Sequence, residues 1–275
     1  MFPYEKYLRL DKFPHIWCTG CGCGIIMKAM LRAIEKSKIP KDSIALVSGI
    51  GCSSRTPGYV DFNTLHTTHG RAIAFATGLK LAKPELKIIV VSGDGDAIAI
   101  GGNHFIHAAR RNLDMTVIVY NNYIYGMTGG QASPATPIGK KGSTAPYGSI
   151  EPSFDISRLA IAAGATFVAR STCYHAVQLD KFIGKALLKK GFSLIEVLAP
   201  CPTYYARPNR LGTSVDMLRW YKENSIPVEA AKKMSRKEKD GKIIIGVLHN
   251  IERAEFCEEY RKLVERVKRG GNGEF

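Results

Sequence analysis

The stretch Lys87-Ile88-Ile89-Val90-Val91-Ser92-Gly93-Asp94-Gly95-Asp96 decides how this chain folds, together with Met115-Thr116-Val117-Ile118-Val119-Tyr120-Asn121-Asn122 further on. Each half begins with an unbroken apolar run rich in β-branched residues. Unbroken rather than alternating apolarity marks a strand covered on both faces, as in a parallel sheet between helices. Ile44 to Ser48 and Ser193 to Leu198 repeat the pattern. Helical spacing fills the intervals. Ile26, Met30, Ala33 and Ile34 make one stripe, Gly70 to Ala82 is rich in small residues, Asn103 to Arg111 follows Gly101-Gly102, and Tyr174 to Lys190 precedes the fourth strand. This alternation predicts an α/β fold with a doubly wound, mostly parallel sheet.

An unusual group follows each predicted strand: Gly49-Ile50-Gly51-Cys52, Gly93-Asp94-Gly95-Asp96, Asn121-Asn122, and Ala199-Pro200-Cys201. Open parallel sheets bind ligands beyond the C-terminal ends of their strands, so topology alone brings these four segments to one edge.

Flanking glycines let the Asp94 turn tighten and let a phosphate approach closely. Asp94 then offers Mg2+ a hard oxygen, the side-chain amide of Asn122 offers a second, and phosphate oxygens, a backbone carbonyl and water complete an octahedron. The two residues lie 28 positions apart, the length of one helix and one strand. Both therefore return to the same sheet edge.

Seven cysteines, an odd number without a secretion signal, argue against a disulfide framework and for a reducing, cytoplasmic setting. Cys18-Thr19-Gly20-Cys21 puts two thiolates on one tight loop, and Cys52 and Cys201 each follow a strand on the ligand edge. Four thiolates suit structural zinc or a cubane iron-sulfur cluster. Spacing does not choose between these, nor between Cys21 and Cys23 as the second ligand. Cys173 and Cys257 read as small buried hydrophobes.

A formal charge of +15 suits nucleic acid, anionic cofactors or an acidic protein partner equally well. The densest run, Lys232 to Lys242, has no interleaved stacking aromatics and reads as a solvated connector. No apolar run approaches the roughly 18 residues needed to span a bilayer, so no membrane segment is expected. Residues 126–149, rich in Gly, Pro, Ser and Thr, read as a long functional loop over the site. Residues 1–208 are expected to form the cofactor domain. Residues 209–275 form a C-terminal extension: a polar connector, a strand from Lys242 to Val247, and an amphipathic helix from about Glu252 to Lys268. Phe256, Tyr260, Leu263, Val264 and Val267 share one side of that helix, and a short low-complexity tail runs from Gly270 to Phe275.

Gly93-Asp94-Gly95 followed at this interval by Asn121-Asn122 resembles the signature of thiamine-diphosphate enzymes. The next segment, Tyr125-Gly126-Met127-Thr128-Gly129-Gly130-Gln131, is similar to the diphosphate loop of 2-oxoacid:ferredoxin oxidoreductase beta subunits, most of all the 2-oxoglutarate type. The resemblance covers about Ile16 to Pro208. It implies a sheet of the thiamine-diphosphate-binding type, with Mg2+ held by Asp94, Asn122 and the carbonyl of Ile124. Cofactor contacts are implied for Ile50, Gly51, Cys52, His69, Gly93, Gly95, Asp96, Gly126, Met127 and Thr128, and one 4Fe-4S cluster for Cys18, Cys21, Cys52 and Cys201. The implied reaction is coenzyme A-dependent oxidative decarboxylation of a 2-oxoacid to acyl-CoA and CO2, with electrons passed to ferredoxin. The glutamate that activates the thiazolium ring comes, in that family, from another subunit. The chain is thus expected to be inactive without its alpha subunit, with gamma and delta subunits in larger assemblies.

Two residues stand out as catalytic candidates. His69, in Leu65-His66-Thr67-Thr68-His69-Gly70-Arg71, precedes a helix whose N-terminus favours anions, and a role in polarising the substrate carbonyl or shuttling a proton weighs evenly against capping or packing. Arg55, three residues after Cys52, suits bidentate pairing with a distal carboxylate, which favours 2-oxoglutarate over pyruvate or a broad range. Asp96 is divided between the cofactor and a cap of the next helix, and His104 and His107 read as structural. A non-oxidative thiamine-dependent decarboxylase or synthase leaves the placed cysteines idle. A zinc-stabilised nucleic-acid-binding module leaves Asp94 and Asn122 unexplained.

Overall fold

The computed structural model describes residues 2–269; the tail from Gly270 lies outside them. The strands are β1 (Ile44–Ser48), β2 (Asn63–His66), β3 (Lys87–Gly93), β4 (Met115–Asn121), β5 (Ile124–Tyr125), β6 (Gln131–Ala132), β7 (Phe167–Thr172), β8 (Phe192–Leu198), β9 (Ser225–Pro227) and β10 (Ile243–Asn250). Five helices matter for the site and its support: α1 (Cys23–Ser37), α2 (Ala72–Ala82), α3 (Gly102–Arg111), α4 (Ile156–Ala162) and α5 (Ala176–Leu188). They are followed by α6 (Ser214–Asn224) and α7 (Phe256–Lys268).

Eight strands form one sheet in the order β2-β1-β3-β4-β8-β7-β10-β9. From β2 to β7 all neighbours are parallel; β10 runs antiparallel to β7 and parallel to β9. The fold is the expected doubly wound α/β sheet. Its unbroken apolar strands feed two cores by alternation: Ile44, Leu46, Ile89 and Val91 face α1 and α5, while Ala45, Val47, Ile88 and Val90 face α2 and α3. A fully buried Ile or Leu contributes roughly 1.5–3 kcal/mol, and the Ile26, Met30, Ala33 and Ile34 stripe of α1 is buried completely.

Three strands escape the sequence pattern. β2 is a polar edge strand with mostly exposed residues, β9 is very short, and Arg170 interrupts the apolar run of β7. Residues 209–275 contribute β9 and β10, which lengthen the sheet beyond β7. Only the start of the expected apolar stripe of α7 packs on the core: Phe256 is partly buried against it, whereas Tyr260, Leu263 and Val267 are exposed, and only Cys257 of that helix is fully buried.

Register aligns the strand ends that matter. Ser48 stands opposite Val91 and His66, Gly93 opposite Tyr120, and Asn121 opposite Leu198. Widened π-helical turns follow directly, at Asp96–Ile100 and Pro202–Ala206. Such turns recur where a chain re-aims side chains at functional sites.

Candidate active site

A cavity of about 430 Å³ opens at this edge. The loop after β1 contributes Ile50, Gly51 and Cys52, the segment after β2 contributes His69, and Gly93 to Asp96 close one wall at the end of β3. Asn122, Ile124, Gly126, Met127 and Thr128 follow β4 and form the opposite wall. The residues expected to meet the cofactor therefore share one cavity.

Asp94 is buried, and burial pushes its carboxyl up to about 7. The Ser133 hydroxyl donates to it, and the amides of Gly95 and Asn122 lie against it. Among the described residues no cationic side chain compensates the charge. A buried carboxylate in that state is costly unless a cation joins it, so the donor set fits a hard divalent ion. The Asn122 side-chain oxygen accepts from the amide of Ile124 at 3.3 Å, which draws the carbonyl-bearing turn around the same point. Tyr123 between them has φ of 65°, a conformation that an aromatic side chain rarely adopts and that marks a functional turn.

Two of the thiols approach Gly126. A Cβ there would stand 3.2 Å from Cys52 Sγ and 3.8 Å from Cys201 Sγ, so the missing side chain admits both sulfurs. Cys21 and Cys52 line the cavity, Cys201 is buried, and Cys18 is exposed on the outer side. Burial, then the charges of Cys21, Cys201 and Cys18, push the Cys52 thiol up to about 12. A cationic centre that relieves this crowding suits the donor set. Among the described residues no three His, Cys, Asp or Glu side chains converge on a single ion. Cys21 and Cys23 differ sharply: a hydrogen bond with Cys23 brings Cys21 down to about 7, while the same bond and burial raise Cys23. Cys23 and Cys173 are buried beside this group.

Arg55 is exposed and lies outside the cavity wall. His69 lies on the wall, its Nδ1 2.9 Å from Asp96. His104 accepts from Arg71 at 2.8 Å, away from the cavity. Ser133 escaped sequence reading because it lies in an aperiodic loop and meets Asp94 only through the return of that loop. A second cavity, about 840 Å³, was equally unforeseen. Asn121, Tyr123, Arg170, Glu196, Tyr205 and Trp220 line it, so alternate residues of the Asn121–Ile124 turn face different cavities. Glu196 is buried and accepts from Arg170 Nε at 2.8 Å, Ser157 Oγ at 2.6 Å and Asn121 Nδ2 at 2.9 Å.

A doubly wound sheet with Asp94 and Asn122 at adjacent parallel strand ends defines a thiamine-diphosphate-binding domain. The signature of the thiamine pyrophosphate enzyme C-terminal TPP binding domain matches residues 49–197. The 2-oxoglutarate synthase subunit KorB of Methanocaldococcus jannaschii is 57% identical over 98% of this chain and 99% of its own length. KorB of Archaeoglobus fulgidus is 49% identical over 98% of each chain. The solved 2-oxoglutarate:ferredoxin oxidoreductase from Magnetococcus marinus, with 2-oxoglutarate, coenzyme A and succinyl-CoA bound, is 32% identical with a TM-score of 0.86. That match covers 100% of this chain and 93% of the other. The chain belongs to the beta-subunit family of 2-oxoacid:ferredoxin oxidoreductases. Membership sets aside both the nucleic-acid-binding module and the non-oxidative synthase. No described helix is long and apolar enough to cross a membrane.

Proposed function

We propose that this chain is the beta subunit of a cytoplasmic enzyme that converts 2-oxoglutarate and coenzyme A to succinyl-CoA and CO2 and passes the electrons to ferredoxin. The observation that carries the reading is a buried carboxylate, with no cationic side-chain partner among the described residues, sharing one cavity with Cys21, Cys23 and Cys52. Asp94, Asn122 and the Ile124 carbonyl would hold Mg2+ against the diphosphate, and Thr128 and the Gly126 backbone would meet its oxygens. Cys18, Cys21, Cys52 and Cys201 would hold a 4Fe-4S cluster, with Cys23 donating to Cys21 from behind. When bound, thiamine diphosphate supplies the electron sink for loss of CO2, and the cluster supplies a one-electron outlet.

The chain's own residues bind and orient. Asp94 and its turn fix the diphosphate end, His69 offers a ring nitrogen to the substrate region, and exposed Cys18 gives the cluster an edge toward an external carrier. Arg55 reaches the substrate's distal carboxylate only if the alpha subunit folds over this edge, which agrees with a site shared between subunits. All these residues fall within 1–208, while beyond them β9 and β10 extend the sheet.

The test is chemical iron and sulfide analysis of the co-expressed alpha-beta complex, with coenzyme A-dependent dye reduction measured on 2-oxoglutarate and pyruvate. Four irons per beta chain and a clear preference for 2-oxoglutarate are expected. Absence of iron, or turnover by the beta chain alone, would overturn the assignment. Arg55→Ala should raise KM for 2-oxoglutarate by about tenfold, the loss of one charge-assisted contact, and change that for pyruvate much less.

A further inference from the structure

Two residues beyond Asp94 lies a second buried carboxylate, Asp96, whose hydrogen bonds all run to protein. Its Oδ1 accepts from the amide of Gly70 at 2.7 Å and the amide of Ile50 at 3.3 Å, and lies 2.9 Å from His69 Nδ1; its Oδ2 accepts from Ser92 Oγ at 2.5 Å. These donors come from the loop after β1, the segment after β2, and β3 itself. One carboxylate thus ties three neighbouring strand ends together. Gly49 makes room for it, since a Cβ there would stand 2.3 Å and 2.4 Å from the two oxygens.

The consequence falls on His69. Its Nδ1 faces two acceptors, Asp96 Oδ1 and the Ile50 carbonyl at 3.3 Å. A ring nitrogen between two acceptors carries the proton in the neutral imidazole, which leaves the lone pair on Nε2. Among the described residues Nε2 has no hydrogen-bond partner, and the ring lines the cavity with its centre 6.0 Å from that of Tyr125.

We propose that Asp96 is a positioning residue: it holds His69 as the Nδ1–H tautomer, so that Nε2 is left as a proton acceptor for the substrate region. This rests on the reading of the cavity as the active site. Asp96 acts as a hydrogen-bond acceptor rather than as a negative charge or a cofactor ligand. An amide oxygen can accept the same two backbone N–H bonds and lie against His69 Nδ1 while the amide nitrogen donates to Ser92, so Asp96→Asn should preserve the arrangement. Gly49→Ala, by contrast, should push the carboxylate off His69.

The experiment uses the assembled alpha-beta enzyme with Asp96→Asn, Gly49→Ala, His69→Gln and the Gly49→Ala/His69→Gln pair. Asp96→Asn should lose less in kcat than Gly49→Ala, because the amide keeps its place beside His69. Gly49→Ala should lose about 10- to 100-fold in kcat with little change in KM, the scale of a misplaced catalytic group. In the His69→Gln background the same change should cost less than about threefold, because both act through one ring. Nitrogen-15 spectra of histidine-labelled enzyme, assigned by the signals lost in His69→Gln, should show Nδ1–H in wild type and Asp96→Asn and a tautomer mixture in Gly49→Ala.

A tautomer mixture in wild type, or multiplicative losses in the pair, overturns the assignment. So does a fall in cofactor affinity in Asp96→Asn comparable to that from loss of Asp94. Wild-type turnover by His69→Gln instead overturns the reading of this cavity wall, so the two failures are separable.

Discussion

Asn122 and Ile124 line one cavity, Asn121 and Tyr123 line the other, and each cavity holds a buried carboxylate. Glu196, on the second side, is neutralised within the fold: Arg170 pairs with it, Ser157 and Asn121 donate to it, and Arg170 also pairs with Asp155. Asp94, on the first side, has hydroxyl and amide donors but no cation among the described residues. The same turn thus separates a completed ion cluster from an incomplete one. Burial is common to both carboxylates; what distinguishes a scaffold from a site is whether the protein supplies the countercharge.

Removing the incomplete carboxylate should give the largest effect. Asp94→Asn in the assembled enzyme is expected to weaken magnesium-supported thiamine diphosphate binding by more than ~100-fold, beyond the range seen for outer ligands of metal sites. Calorimetric titration with and without Mg2+ checks it, and an unchanged response to Mg2+ would break the comparison. If Asp94 holds the metal as proposed, protons compete with it there, since burial raises this carboxyl to about 7. Affinity should therefore fall roughly tenfold per unit as pH drops below about 7, one proton being taken up at the site.

Removing the completed carboxylate should act on stability instead. Glu196→Ala leaves Arg170 without its buried partner and is expected to cost about 3–5 kcal/mol. Thermal melts of the cofactor-free chain report this directly. Asp94→Asn should shift the same melts the opposite way. Folded, Asp94 holds its proton up to about pH 7; unfolded, only to the ordinary carboxylate range near 3.8. Between these values the folded state binds more protons, so this group's contribution falls as pH rises through the window and is lowest above it. The Asn variant should gain on the order of 4 kcal/mol at pH 8 and nothing at pH 3.

How much of this was legible in the sequence depends on range. β1, β3, β4 and β8 announced themselves as unbroken apolar runs, and Asp94 and Asn122 as a spacing that one helix and one strand must span. β7 did not, because Arg170 breaks its run and is accommodated by Glu196 on the neighbouring strand, 26 positions away, and by Asp155. Ser133 meeting Asp94, and Gly49 admitting Asp96, depend on loops returning across the sheet, which no local pattern encodes. The α7 stripe was legible as amphipathic but not as unpacked, since periodicity reports which residues share a face and not what covers it.

The smallest effect should come from neutralising the completed cluster on both sides at once. Glu196→Gln keeps a side-chain oxygen for Asn121 and turns its amide nitrogen to the Ser157 hydroxyl, which can rotate to accept, and Arg170→Met keeps the apolar stem while removing the guanidinium. Asp155, whose side chain is 40% exposed, can then be solvated. Taking two charges out of water offsets most of what their attraction returns, so the double replacement is expected within about 1 kcal/mol of wild type. Either single replacement should cost more, because Arg170→Met leaves Glu196 charged and buried without a cation and Glu196→Gln leaves Arg170 with only the half-exposed Asp155. A double variant as unstable as Glu196→Ala would mean that the ion pair itself holds β7 against β8. The contrast with Asp94 would then rest on the strength of the pair rather than on who supplies the cation.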